Sequence, residues 1–309
     1  MQSSAAAPLR IGTRGSPLAL VQAGEVRARL AVALKRDPLD IELKIIRTSG
    51  DMIQDRPLAE AGGKGLFTKE IEEALLAGAI DIAVHSAKDM PTLLPEGLVL
   101  AACLEREDPR DVLICHRAKS LATLPRNAKL GTSSLRRQAI AKRARPDLEI
   151  VPLRGNVETR LRKLDDTTVN ATILALAGLK RLGIADRATT ILSVEEFLPA
   201  VGQGAIALET RANDDHTRAL LMSIDDADTS TAVEAERAFL GVLDGSCKTP
   251  IAGHAIIYGP TIQFRGLIAK PDGSAAHDIA GTGARSDAEK IGADAGRELK
   301  ARGGPGFFD

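Results

Sequence analysis

Asp89 is the carboxylate best placed for chemistry in this sequence. It lies in His85-Ser-Ala-Lys88-Asp89-Met-Pro91, directly after Ile80-Asp-Ile-Ala-Val84, whose alternation reads as a strand. Ligands of open α/β sheets bind outside the carboxyl ends of strands, which is where Lys88 and Asp89 would stand. There Asp89 can serve as a general acid or base, or as a counter-charge to a cationic intermediate, while Lys88 can hold an anionic group. Taken alone, the pair also reads as a turn before a proline. His85 continues the alternation and reads as a hydrogen-bonded core or edge residue.

A second chemical signal is charge. From Arg126 to Lys163 there are eight arginines and three lysines against Asp147, Glu149 and Glu158, a net of +8 in a chain whose 41 basic and 41 acidic side chains cancel. Gly131-Thr132-Ser133-Ser134 bridges an expected strand and an expected helix, so its N–H groups and hydroxyls can meet an anion, with Arg136 and Arg137 in the first helical turn. Cations at that end oppose the helix dipole, which an ordinary surface face would avoid. Arg154-Gly-Asn156 repeats the arrangement after the next strand, with Arg160 one turn further on. Arginine suits planar, bidentate capture of carboxylates.

Gly62-Gly-Lys64-Gly65 lacks the GxxxxGK[ST] order of a phosphate loop, so it reads as a lysine-bearing loop before a helix. Gly50-Asp51 is a turn or the entry to an active-site lid. The three cysteines form neither an even framework nor a CxxC pair, which argues against a disulfide scaffold or a thiolate zinc site. Cys103 and Cys115 fall in apolar runs and read as core thiols. Cys247, in a Gly-Ser-Cys loop beside Lys248, is the reactive candidate, although no readable His partner supports an acyl-transfer nucleophile; it could be a covalent attachment point.

These residues need a scaffold, and 309 residues suffice for two or three domains. The first part runs strand, helix, strand, helix, strand: Leu9 to Ile11, a helix opened by Ser16-Pro17, Ile41–Ile45, Thr68 to Ala77, and Ile80–Val84. This rhythm implies a largely parallel sheet covered on both faces by helices. It restarts after Pro91 to Gly97, with strands at Leu98–Leu104, Val112–Cys115, Leu130, Leu148–Leu153 and Thr172–Leu176 and helices near Ser134–Ala144 and Val157–Leu164. The strand-like Ile206–Glu209 could return to either sheet. Beyond it, capping boxes at Thr231 and Ser286 are expected to open two helices around a set of hairpin strands, an α+β arrangement.

Composition narrows the function classes. Zero net charge and 2% aromatic residues argue against nucleic-acid binding, and the apolar run Leu98 to Leu104 is far shorter than a membrane span. The start, MQSSAAAPLR, lacks the basic and apolar regions of a secretion signal, so a soluble, unprocessed cytoplasmic protein is expected.

With Ile11-Gly-Thr-Arg-Gly-Ser-Pro-Leu-Ala19, Gly63-Lys-Gly-Leu-Phe67, Ala83-Val-His-Ser-Ala-Lys-Asp89, Gly131-Thr-Ser-Ser-Leu-Arg-Arg137, Leu153-Arg-Gly-Asn-Val157 and Gly245-Ser-Cys247 in order, the chain resembles the porphobilinogen deaminase (hydroxymethylbilane synthase) family from about residue 9 onward. The resemblance implies a transferase of tetrapyrrole (haem) biosynthesis that joins four porphobilinogen units head to tail with release of ammonia. It implies α/β architecture: two doubly wound lobes like a type II periplasmic binding protein, residues 1–104 with 201–221 and residues 105–200, plus a smaller C-terminal α+β domain, 222–309. By motif match, Cys247 would carry a dipyrromethane cofactor through a thioether. Asp89 would be the catalytic carboxylate, helping to protonate the departing amine and stabilising the cationic azafulvene. Lys88, Thr132, Ser133, Ser134, Arg136, Arg137 and Arg160 would bind the cofactor, and Arg14, Ser16, Lys64 and Arg154 the substrate. No role transfers to Lys248 or Gln203. A monomer with porphobilinogen as its small-molecule partner is expected, without nucleic acid, membrane or metal.

Two rivals come from other classes. A non-catalytic polycarboxylate binder would have the same kind of cleft and no need of Cys247. A nucleic-acid module using the +8 segment fits poorly with so few aromatics.

Overall fold

The computed structural model describes residues 8–52, 65–245 and 249–308. The chain enters through Leu9–Thr13 (β1) and turns into Pro17–Leu34 (α1). Ser16, in extended geometry, accepts the Ala19 N–H at 3.3 Å, Pro17 fits the first turn, and Ala23, Val26 and Leu30 bury one face. Ile41–Ile45 (β2), the single turn Ser49–Met52 (α2), Lys69–Leu76 (α3), Ile82–Ser86 (β3) and Leu98–Cys103 (β4) follow. Gly50-Asp51 therefore falls in one helical turn.

A second series comprises Asp111–Cys115 (β5), Lys129–Gly131 (β6), Leu135–Ala144 (α4), Glu149–Val151 (β7), Val157–Asp165 (α5), Ala171–Ala175 (β8), Leu176–Arg181 (α6) and Thr190–Ile191 (β9). Then come Ile206–Arg211 (β10), Asp215–Met222 (α7) and Ala227–Val242 (α8). The chain finishes with Ile251–Tyr258 (β11), Thr261–Ala269 (β12), Ala276–Ala284 (β13) and Ala288–Gly303 (α9).

Among the described residues the strands form three sheets, in the orders β2-β1-β3-β10-β4, β7-β6-β8-β5-β9 and β11-β12-β13. Strand β10 joins the first sheet, pairing Ile206 with Ser86 through to Glu209 with Ala83, which resolves the choice left open by the sequence. The first two sheets are mixed, a correction to the expected largely parallel arrangement. β1 runs parallel to β2 and β3, but β10 is antiparallel to both its neighbours; in the second sheet β5 is antiparallel to β8 and β9. The chain leaves the first sheet by β4 and returns by β10 through the same end, so the returning strand must run against the departing one.

The two crossings lie side by side. Leu104 N–H donates to Ile206 O at 3.1 Å and Glu107 N–H to Gly204 O at 3.2 Å. Gly204 has φ +94°, and a Cβ there would strike the Glu107 carbonyl, so the close approach requires glycine. Glu236 of α8, fully buried, receives Arg106 Nη1 at 2.6 Å, the Gly202 N–H at 2.6 Å and the Ala255 N–H at 2.8 Å. Burial alone would raise its pKa; Arg106 and His254 outweigh that and hold it at about 2.

In the C-terminal unit the antiparallel meander β11-β12-β13 packs beneath α8 and α9 around Phe239 and Phe264, ring centroids 5.1 Å apart. Neither expected capping box opens its helix. Asp226 caps α8 by accepting the Thr229 N–H at 2.8 Å, and Thr231 lies inside the helix, its hydroxyl donating to Ala227 O at 2.7 Å. No breaker separates Asp226 from Thr231, so the earlier cap wins. Ser286 falls in the 3-10 turn Arg285–Asp287, and α9 starts at Ala288 without a side-chain cap.

Candidate active site

The candidate residues gather at strand ends. In the first sheet, β3 passes into the 3-10 turn Ala87–Asp89, leaving Lys88 half-buried and Asp89 exposed; β1 delivers Arg14 and Ser16 beside it. In the second sheet, β6 leads into Thr132 and β7 leads to Arg154. Ser134 caps α4 by accepting the Arg137 N–H at 3.4 Å, and Asn156 caps α5 by accepting the Thr159 N–H at 2.8 Å. Both helix starts expected from the sequence are therefore present.

The hydroxyls after β6 are occupied in shaping their own turn. Thr132, buried, accepts the Ser134 N–H at 3.1 Å, and Ser133 donates to Leu153 O at 3.1 Å. This fixes the direction in which α4 leaves the sheet and thereby aims Arg136 and Arg137.

Those two arginines are buried, and they share Asp111, a residue the sequence reading did not single out. Arg137 donates to Asp111 Oδ1 from Nη2 at 2.7 Å and from Nε at 3.1 Å; Arg136 Nη2 lies 2.8 Å from Asp111 Oδ2. Arg136 also donates to Leu198 O at 2.7 Å. Gln203 of the crossover bonds Asp111 Oδ1 at 3.1 Å and Pro109 O at 2.6 Å. Burial would raise the Asp111 pKa, but the two guanidiniums outweigh it and lower it. Burial lowers that of Arg136 against the attraction of Asp111. Two cations on one anion leave a buried excess of one positive charge, and buried charge requires a partner.

Lys88 and Arg160 belong to the same field. Burial, and then repulsion from Arg137 and Arg136, lower the Lys88 pKa to about 8 despite the opposing pull of Asp89 and Asp111. Burial lowers Arg160 to about 10, with Arg137 and Arg154 adding to the effect and Asp89 opposing it; its Nε donates to Gly155 O at 2.9 Å. The Asp89 turn after β3 and the arginines of α4 and α5 therefore lie within electrostatic reach of one another. Burial is the largest cause of both shifts, so an anion entering the cleft would favour the charged forms.

On the first-sheet side, Arg14, Ser16, Phe67, His85, Ser86 and Asp89 border one pocket. The Arg14 guanidinium lies 4.2 Å from the Phe67 ring centroid, a cation–π contact. Phe67 is a second residue the sequence reading left without a role, although it stands in one of the quoted motifs. Ser86 Oγ lies 3.0 Å from Gln22 Nε2. His85 is buried with Nε2 3.1 Å from Glu209 Oε2, the hydrogen-bonded core histidine that the sequence suggested. Lys64 and Cys247 lie outside the described residues. Cys103 and Cys115 are buried thiols, and burial pushes Cys103 up to about 12. No group of three metal-ligating side chains occurs among the described residues.

Two mixed α/β lobes joined by paired crossings, with one exposed carboxylate facing a cationic cleft, define a bilobal α/β protein whose site suits anions. Residues 9–219 match the family model described as porphobilinogen deaminase, dipyromethane cofactor binding domain, and residues 230–301 match porphobilinogen deaminase, C-terminal domain. The chain belongs to the porphobilinogen deaminase family. It is 59% identical over 310 residues to the porphobilinogen deaminase of Nitrobacter hamburgensis, covering 100% of this chain and 98% of that protein. To the enzyme of the same name from Nitrobacter winogradskyi it is 60% identical over 298 residues, 96% of this chain and 94% of the relative. Among solved structures it is similar to the methionine-binding protein MetQ, with TM-score 0.45, 14% identity and coverage of 72% of this chain and 91% of that one. A nutrient-binding protein from Burkholderia cenocepacia bound to methionine is similar at TM-score 0.43 and 16% identity, with 72% and 93% covered.

Proposed function

We infer that the chain acts as a hydroxymethylbilane synthase, a transferase that condenses four porphobilinogen molecules head to tail on a dipyrromethane cofactor and releases ammonia at each step. The observation that carries this reading is Asp89, an exposed carboxylate interacting electrostatically with Lys88 and Arg160 in a cleft with excess positive charge. Pyrroles bearing acetate and propionate groups fit that excess, because carboxylates form charge-assisted, bidentate pairs with guanidinium groups.

Asp89 is assigned the catalytic role. As an acid it gives a proton to the departing amine; as a carboxylate it stabilises the positive charge that develops on the pyrrole, and afterwards it accepts the proton lost on coupling. The cofactor donor set comprises Lys88, Arg136, Arg137 and Arg160, with Thr132, Ser133 and Ser134 holding the α4 turn. Arg14, Ser16, Lys64 and Arg154 take substrate carboxylates. Cys247 is the attachment point through a thioether, and the bound dipyrromethane supplies the nucleophilic pyrrole carbon from which the product grows.

The division into lobes 1–104 with 201–221 and 105–200, followed by a unit 222–309, is supported by sheet membership, since β10 pairs with β3 and β4. The free thiols Cys103 and Cys115 fit the reducing cytoplasm proposed for this chain, a monomer is the proposed state, and no helix among the described residues is long and apolar enough to cross a membrane. The deciding experiment is intact mass of protein made in a host that supplies porphobilinogen. A mass excess of one dipyrromethane is expected. An unmodified chain would return the balance to a non-catalytic polycarboxylate binder.

A further inference from the structure

A direct mechanical link joins the candidate catalytic turn to Gly245, beyond the end of α8. Arg237 of α8 donates from Nη2 to Pro91 O at 2.9 Å and to Thr92 O at 3.0 Å, two and three residues after Asp89. Thr92 Oγ1 in turn donates to Gly245 O at 3.0 Å, two residues before Cys247. Gly245 is itself fixed: its N–H donates to Leu240 O at 3.0 Å, and a Cβ would run into the Leu240 and Ile251 side chains. Arg237 is the arginine of α8 that spends its donors on backbone carbonyls rather than on a carboxylate. Burial lowers its pKa, with Glu209 and Cys103 opposing.

We propose that Thr92 and Arg237 are positioning residues, a bracket that holds the Asp89 turn against Gly245, two residues before the tether point of the cofactor. The proposal rests on the assignment of Cys247 as that tether point. Asp89 stays in place while the bound chain lengthens, so registration through the tether matters most when the chain is shortest. A two-ring chain reaches Asp89 only if its anchor is correctly placed, whereas longer chains contain enough rotatable links to compensate. Loosening an anchor lowers the effective concentration of the bound reactant in proportion to the freedom gained. The bracket thus acts selectively on the first condensation.

The test compares holoenzyme carrying Thr92→Val, Thr92→Ser or no substitution. Stoichiometric porphobilinogen is added, and the covalent complexes are followed by rapid-quench intact mass. In Thr92→Val the first addition should slow about fivefold, the effect of one hydrogen bond, while later additions stay near the unsubstituted rates; Thr92→Ser should restore the first step. A second readout is independent of turnover: in both the loaded enzyme and a Cys247→Ala chain, amide exchange of a peptide spanning 240–245 should accelerate in Thr92→Val and not in Thr92→Ser. A loaded Thr92→Val protein whose four additions are slowed equally, or not at all, would overturn the bracket. An unmodified mass for the unsubstituted protein would instead refute the tether assignment.

Discussion

Arg137 Nη2 and Asp111 Oδ1 lie 2.7 Å apart with no exposure of the Asp111 side chain, so the guanidinium aimed at the cleft is anchored from behind by a buried acid. The same acid also meets Arg136 at 2.8 Å. It reduces the repulsion between the two guanidiniums while leaving net positive charge for a ligand. Asp111→Asn should therefore destabilise the protein strongly, by about 3–5 kcal/mol as for other broken buried ion pairs. Urea denaturation checks this. Arg137→Met should cost less, because the Arg136–Asp111 pair survives it, and a loss as large as that of Asp111→Asn would contradict shared neutralisation.

Asp89→Asn is expected to leave stability close to that of the parent protein, since Asp89 is exposed at the end of its turn. Turnover should fall by about 10²–10⁴, the usual contribution of a positioned acid or base. Steady-state rates of hydroxymethylbilane formation, with melting temperature as the control, provide the measurement; near-parental turnover would remove Asp89 from the chemistry.

The pH dependence follows from Lys88. Its pKa is lowered to about 8, so the cation that attracts carboxylates is present below that value and is lost as pH rises through it. In a cofactor-free chain, loading of the dipyrromethane, followed by intact mass, should decline on the alkaline side with an inflection near 8, and Lys88→Arg should move the decline to higher pH. Carboxylates already bound favour the charged lysine, so the alkaline limb of turnover by the loaded enzyme should lie above that of cofactor loading. An alkaline limb unchanged by Lys88→Arg would assign it to another group.

The cysteines should divide cleanly. Cys247→Ser is expected to lack the dipyrromethane mass, while Cys103→Ser and Cys115→Ser keep it. Cys103, with a thiol raised to about 12 by burial, should also resist alkylation of the folded protein at pH 8. Adduct loss in all three variants would point to misfolding instead of a specific attachment.

How much of this was legible in the sequence depended on distance along the chain. Ser16-Pro17, Ser134 and Asn156 mark their helix starts because a cap and the amide it binds are three residues apart. The placement of Lys88 and Asp89 after a strand was legible for the same local reason. Thr231 misled because a capping-box spacing is satisfied there while Asp226, further upstream, captures the helix first. Asp111 was hidden because its partners Arg136, Arg137 and Gln203 are remote in sequence, and a local charge count registers the cations without their counter-ion. The mixed sheets were hidden for a related reason: alternation identifies β10 as a strand but carries no information about which end of the sheet it enters.

Glu236 has an implication for exchanging parts between relatives. Its carboxylate serves Arg106 and the Gly202 amide from the crossings and Ala255 from the meander, so three stretches far apart in sequence depend on one acid. A chimera that takes its C-terminal unit from another source inherits a working joint only if the incoming helix presents a carboxylate at that position. Grafting the lobes without it would strand Arg106 at the joint, making the C-terminal unit a structural dependency of the cleft and not an interchangeable appendage.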